Sequence, residues 1–199
     1  MRTKALLTVI LTATWVGVSG ILPVRSAVAE YRTSVRQSGT KQVFTGKAVG
    51  IGGELGHVSM PFTLEIDGQT SDREVQQDSQ ILESQGQVEL LKAIAKNKLG
   101  TFTFEGMPPH DINFVQERAQ DKGLSVTVLF EHLPRIFEVS KKTKFEDYPF
   151  TFLQFFINSN GSGDGSIVTA AKITMKNDVA DTDDFGAYPA HLMNVQLKK

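Results

Sequence analysis

Apolar and polar residues alternate along several separate segments of this chain, and no other feature limits the possible folds as strongly. The pattern covers residues 101–105, 124–130 and 167–175. A period of two places one set of side chains on one face of a β-strand and the other set on the opposite face. The sequence therefore predicts antiparallel strands with one buried and one solvated face.

One region between the predicted strands has helical features. Ser71 and Glu74 have the spacing of a capping box, in which each residue satisfies a free backbone amide of the first helical turn. Gly86 favours a helix end, and beyond it apolar residues recur at intervals of three and four. We therefore predict a pair of short helices near residues 71–98.

These patterns together favour an α+β fold. We expect an antiparallel β-sheet that is curled into a sandwich or half-barrel, with the helical pair inserted after the second strand. Residues 30–42 are polar and have no clear period, so they are predicted to be a flexible lead-in. Residues 43–199 are predicted to form a single β-rich domain, which suits a composition of 40% hydrophobic and 22% charged residues.

The first 29 residues have the features of a signal peptide. Arg2 and Lys4 form a basic start, an apolar run covers residues 5–24, and Ala27 and Ala29 supply small residues at a cleavage site. An uncleaved anchor is the alternative, since the run approaches the roughly 20 residues that span a bilayer. We expect cleavage before Glu30, no membrane span afterwards, and a secreted or periplasmic bacterial protein.

Charge and cysteine content exclude several classes of function. The chain has 21 Lys and Arg against 22 Asp and Glu, so no strong net field attracts nucleic acid, and nucleic-acid binding is not expected. The sequence has no Cys, which excludes disulfides, thiolate nucleophiles and zinc sites built on Cys. No motif indicates a cofactor.

A phenylalanine-rich segment at residues 150–157 is apolar on both faces, which indicates either a central strand or a binding surface. Its aromatic side chains are our candidates for one wall of an apolar ligand pocket. An aromatic core is the alternative interpretation. The candidate residues are Phe150, Phe152, Phe155 and Phe156.

An acidic segment provides the candidate metal ligands. Asp178, Asp181, Asp183 and Asp184 fall within seven residues and could coordinate a hard cation such as calcium. A solvated acidic loop is the alternative, because burying unpaired carboxylates costs several kcal/mol each.

A second oxygen-rich segment contains Asn158, Asn160 and Asp164 among glycines. It is similar to a calcium loop, but the twelfth position of such a loop, which needs a bidentate Glu, is Thr169. Asn and Gly also supply the positive φ angles of a hairpin turn, and this is the interpretation we favour.

The histidines at 57, 110, 132 and 191 are far apart and form no zinc-binding spacing. His110 and Asp111 could be a base and its orienting carboxylate, but adjacent strand residues point to opposite faces. No catalytic residue is assigned.

Several segments of the carboxyl-terminal part carry a family resemblance. They are Asp147-Tyr148-Pro149-Phe150, the Gly163-Asp164-Gly165 turn, Ala171-Lys172-Ile173 and residues 188–195. In these the chain resembles a family of secreted bacterial proteins of unknown function, and the resemblance implies no activity and no catalytic residue. Residues 183–188 depart from the Glu-Asn-Tyr type of sequence that is more usual there.

The sequence therefore favours a non-enzymatic, secreted or periplasmic binding or structural module. Its partner is unknown, and the candidates are a small apolar ligand and an envelope component. One alternative is a small hydrolase or lyase with an unrecognised acid/base pair. The other is a structural protein that calcium stabilises through residues 178–184.

Overall fold

The computed structural model describes residues 41–50, 58–133 and 147–198. They form a mostly antiparallel β-sheet with two short helices. In chain order the elements are β1 Gln42–Gly50, β2 Ser59–Ile66, α1 Asp72–Gln85, α2 Gln87–Ile94, β3 Gly100–Phe104, β4 His110–Asp111, β5 Phe114–Gln120, β6 Gly123–Glu131, β7 Phe150–Asn158, β8 Ser162–Lys176, β9 Val179–Phe185 and β10 Ala190–Lys198.

The strands of the described residues pair in the order β4-β3-β2-β1-β10-β8-β7-β6-β5, and β9 pairs with β8. The sheet is open, with β4 and β5 as its end strands. The predicted signal peptide lies outside the described residues, and so does the lead-in up to residue 40. β1 begins at Gln42, inside the predicted lead-in, because this residue pairs with Ile66 of β2.

The predicted alternation of buried and exposed side chains is confirmed in β3, and the neighbouring strands β1 and β2 continue the same buried face. Phe44, Leu64 and Phe102 lie opposite one another on the three strands and are fully buried. The residues between them form the other, more exposed face of these strands.

The inner core is the cluster of buried residues that β1, β2 and β3 share with β6, β7, β8 and β10. The rings of Phe44 and Phe155 lie 5.0 Å apart between centroids, edge to face. The rings of Phe102 and Phe130 lie 5.3 Å apart. Neither pair belongs to neighbouring strands, so the inner core joins separate parts of the sheet.

The helix-facing core is the second cluster, in which Val75 of α1 and Leu90 and Ile94 of α2 pack with residues of β5 to β9. The predicted capping box is confirmed, since Ser71 and Glu74 make both of its hydrogen bonds. Gly86, at φ +86°, separates the two helices. No helix in the described parts of the chain is long and apolar enough to cross a membrane.

A link of two residues joins the end strands of the sheet. The sequence pattern predicts no helix or strand for this region, and the structure forms β4 and β5 here with only Ile112 and Asn113 between them. The Ile112 amide donates to Gly100 O at 3.0 Å, at the start of β3. The Asn113 amide donates to Leu129 O of β6, also at 3.0 Å. The link therefore contacts both β3 and β6.

Candidate binding surface

The phenylalanines predicted to form a pocket wall lie on β7, between β6 and β8. Phe150 and Phe152 belong to the helix-facing core, and Phe155 belongs to the inner core. All three are buried, whereas Phe156 is partly exposed. β7 is thus a central strand with apolar side chains on both faces, which was one of the two interpretations of its sequence.

The acidic segment is a strand and not a loop. Asn177 and Asp178 have φ values of +53° and +58° and make a two-residue turn between β8 and β9. Such a turn matches the twist of a β-hairpin. Sequence reasoning missed this hairpin, although an Asn-Asp dipeptide between two alternating segments is a signal for it.

Two of the predicted metal ligands on β9 are paired with lysines of β8. Lys172 Nζ lies 3.1 Å from Asp184 Oδ2, and Lys176 Nζ lies 3.4 Å from Asp183 Oδ2. Among the described residues, no group of three or more His, Asp or Glu could hold a metal ion. Asp178, Asp181, Asp183 and Asp184 are therefore spread along a hairpin and are not gathered around one point.

The Asn-rich segment forms the turn between β7 and β8. Asn158 Oδ1 accepts from the Asn160 amide at 3.1 Å, and Asn160 Oδ1 accepts from the Ser162 amide at 2.9 Å. The Gly161 amide donates to Asn158 O at 3.0 Å, with Gly161 at φ +84°. These side-chain oxygens bind backbone donors, as in a hairpin turn.

The histidines of the described residues are separate. His132 Nδ1 contacts Thr169 O inside the protein, and His191 is exposed on β10. His110 lines a cleft of about 510 Å³ beside the end of α2. Its neighbour Asp111 forms an ion pair with Lys98 at 2.8 Å. His57 lies outside the described residues.

Three threonines form a row across the exposed face of β1, β2 and β3. Thr45 lies opposite Thr63, and Thr63 lies opposite Thr103. Gln196 of β10 lies opposite Thr45 and extends the row to a fourth strand. Since neighbouring strands are about 4.8 Å apart, the row presents hydroxyl groups at a regular spacing. We call Thr45, Thr63 and Thr103 the threonine row.

The threonine row lies in a groove of about 450 Å³. At its centre Gly46 packs on the ring of Phe62, and a Cβ at Gly46 would lie 2.9 Å from that ring. Lys47 and Glu105 are exposed at the groove. We call this surface the threonine groove, and its lining residues are Thr45, Gly46, Lys47, Pro61, Phe62, Thr63, Thr103, Glu105, Asn194 and Gln196.

An irregularity of β10 shapes the edge of the threonine groove. The pairing of β10 shifts by one residue against β1 and against β8 near Asn194, which has φ +53°. The Asn194 amide donates to Asp164 Oδ1 at 3.1 Å. Bulges of this kind change the direction of a side chain and often occur beside binding sites. The sequence offers no sign of the groove, because the register of distant strands creates it.

A second cleft, of about 520 Å³, contains a partly buried carboxyl group on β5. Gln42 Nε2 of β1 donates to Glu117 Oε1 at 3.1 Å. Burial raises the pKa of Glu117, while hydrogen bonds from Gln42 and Gln69 act in the opposite direction. Glu117 was not among the predicted site residues, since no motif marks the segment that contains it.

Two of the segments that carry the family resemblance meet Asp184, a residue of the departing segment, at the surface. The Tyr148 hydroxyl donates to Asp184 Oδ1 at 3.0 Å. Lys172 Nζ lies 5.0 Å from the centre of the Tyr148 ring and also pairs with Asp184. The hydrogen bonds to Lys172 and Tyr148 lower the pKa of Asp184. These contacts hold the start of β7, β8 and β9 together at the surface.

Comparisons with family models, curated proteins and solved structures found no match to the chain. The resemblance to a family of secreted bacterial proteins therefore stays a prediction.

Proposed function

We propose that the protein is a non-enzymatic, secreted or periplasmic module that binds a neutral, hydroxyl-rich ligand, such as a glycan of the cell envelope, in the threonine groove. The observation that supports this is the register of Thr45, Thr63 and Thr103 with Gln196. A hydroxyl group both donates and accepts hydrogen bonds, so the row is chemically complementary to a chain of ligand hydroxyls.

The remaining lining of the groove suits the same ligand class. The threonine methyl groups and Pro61 supply apolar contact for the carbon-bound hydrogens of a sugar ring. The charged residues at the groove, Lys47 and Glu105, have opposite signs, so the surface favours neither an anion nor a cation.

The central threonine provides the test. We expect Thr63→Val to weaken binding of a neutral oligosaccharide about fivefold to tenfold, since one hydrogen bond contributes about 1 kcal/mol and valine keeps the shape. Wild type is first screened on an array of neutral glycans, and the best glycan is then titrated by calorimetry. Thr101→Val, which lies on the same strand face outside the groove, is the matched control. Equal affinities for wild type and Thr63→Val would contradict the proposal.

A second candidate function is acid-base chemistry at Glu117, as a small hydrolase or lyase would need. It rests on a carboxyl group that lines a cleft and whose pKa is raised by burial, a combination that is frequent at catalytic sites. A panel of chromogenic esters and glycosides tests it. Turnover by wild type that Glu117→Gln abolishes, with an unchanged melting temperature, would favour this function over simple binding.

We further propose that the open sheet folds over the inner core as a sandwich. The ring contacts between Phe44 and Phe155 and between Phe102 and Phe130 support this arrangement. The short link between β4 and β5 supports it as well, since it contacts both β3 and β6.

We also propose that the protein is exported, because its first 29 residues have the features of a signal peptide. The intact mass of protein purified from the periplasm or medium is expected to match a chain that starts at Glu30. A mass that includes residues 1–29 would favour a retained anchor instead.

A further inference from the structure

Helix α1 is attached to the sheet through an unusual pair of buried residues. Of its residues Asp72–Gln85, Val75 and Asp78 are the buried ones. Asp78 is only 7% exposed, and its Oδ2 atom has no hydrogen-bond partner among the described residues. A buried carboxyl oxygen without a partner destabilises the ionised form of the group far more than the neutral form.

The surroundings of Asp78 add to this effect. Loss of solvation raises the pKa of Asp78 to about 6, and the carboxylate of Glu74, one turn earlier on α1, contributes in the same direction. Lys96, which follows α2, opposes them. The sheet contributes apolar side chains to the core below the helices. Asp78 is therefore neutral in the closed structure under mildly acidic conditions and is ionised under alkaline ones.

Below α1 and α2 lies the helix-facing core, to which β5 to β9 contribute apolar side chains. Val75 belongs to the helix-facing core together with Phe150 and Phe152. Ile81 and Leu82 of α1 are only partly buried against this core. Little apolar area therefore holds α1 in place, and segments with few buried contacts open more readily than the rest of a protein.

We propose that α1 is a pH-dependent lid, which closes over the helix-facing core when the Asp78 carboxyl is neutral and loosens when it is ionised. This goes beyond the proposed function, because the threonine groove lies on other strands and takes no part in it.

Hydrogen exchange of the α1 amides tests the lid. A carboxyl whose pKa rises from 3.8 to about 6 on burial changes a docking equilibrium by up to about a hundredfold. After correction for intrinsic exchange rates, we expect the opening constant of α1 to rise about tenfold from about pH 5 to about pH 8, because the rest of that factor is reached below about pH 5. The β7 amides are the internal reference and keep their protection.

Two variants distinguish the effect of the Asp78 carboxyl on α1 opening from a general effect of charge on the helix. Asp78→Asn is expected to abolish the pH dependence of α1 opening, whereas Glu83→Gln, an exposed residue of the same helix, is expected to keep it. Fluorescence of the apolar dye ANS is the second measurement, and it should rise with pH in wild type and stay low in Asp78→Asn. Opening of α1 that does not change with pH, or that changes equally in Asp78→Asn, would overturn the proposal.

Discussion

Two glutamine side chains take the place of missing strand partners. Gln87 Nε2 donates to Ile173 O at 2.8 Å, and the Ile173 amide donates to Gln87 Oε1, also at 2.8 Å. Gln116 Nε2 donates to Asp178 O at 2.7 Å, and the Ala180 amide donates to Gln116 Oε1 at 3.3 Å. Each amide group thus imitates the backbone of a neighbouring strand. The hairpin of β8 and β9 is fixed by α2 on one strand and by β5 on the other.

Removal of one of these amides should be costly. We expect Gln87→Ala to reduce the free energy of unfolding by about 1–3 kcal/mol, because it leaves both polar backbone groups of Ile173 without their partner. Gln85→Ala, an exposed site at the end of α1, should change it by less than about 0.5 kcal/mol. Urea denaturation measures both values, and equal effects would show that the amide of Gln87 adds nothing to stability.

Glu117 should make the stability of the protein depend on pH. Its pKa in the folded state is raised, so the neutral carboxyl is favoured by folding, and this advantage is lost as the pH rises through the folded value. Between about pH 4 and about pH 8 we therefore expect wild type to lose more stability than Glu117→Gln. Thermal melts over this range give the comparison, and a larger loss in the variant would show that the carboxyl prefers its ionised form.

Among the elements, the first half of β8 depends on the absence of side chains. A Cβ at Gly163 would lie 1.7 Å from Phe156 O on β7. At Gly165 the distance to Gln154 O would be 2.1 Å. β7 and β8 therefore approach each other more closely here than two strands with side chains could.

Gly163→Ala tests this close approach. We expect it to destabilise the protein by about 3 kcal/mol or to prevent folding, since the strand must move to admit the methyl group. Gly106→Ala provides the comparison, because Gly106 has φ +80° but open space around it. That change should cost only about 1–2 kcal/mol. A small effect at Gly163 would mean that the strands separate easily.

The elements also differ in how far the sequence predicts them. Alternation and the capping box at Ser71 are local features, and they correctly predicted β3, β6 and the helical pair. β5 and β9 were missed because their polar residues are satisfied by distant partners, as Gln116 and Asp184 are. The threonine groove was missed for a related reason: it depends on the pairing of β1 with β10, which are far apart in the chain.

At the scale of the whole molecule, the inner core predicts coupling between strands that are not neighbours. Because the rings of Phe44 and Phe155 are in contact, a double-mutant cycle with leucine at both sites should give an interaction energy of about 0.5–1.5 kcal/mol. Phe44 and Phe152 belong to different cores, so the same cycle on that pair should be additive within about 0.5 kcal/mol. Additivity in both cycles would contradict the proposed sandwich, in which the side chains of β1 and β7 share one core.

The central position of β10 has a consequence for the order of assembly. β10 lies between β1 and β8, so residues 190–198 join the strands made first to those made much later. During synthesis the chain grows by about 5–20 residues per second, and until these residues have emerged β1 and β8 lack the strand that connects them. We therefore expect the two parts of the sheet to join only after residues 190–198 have been made, so that the fold is completed late in synthesis.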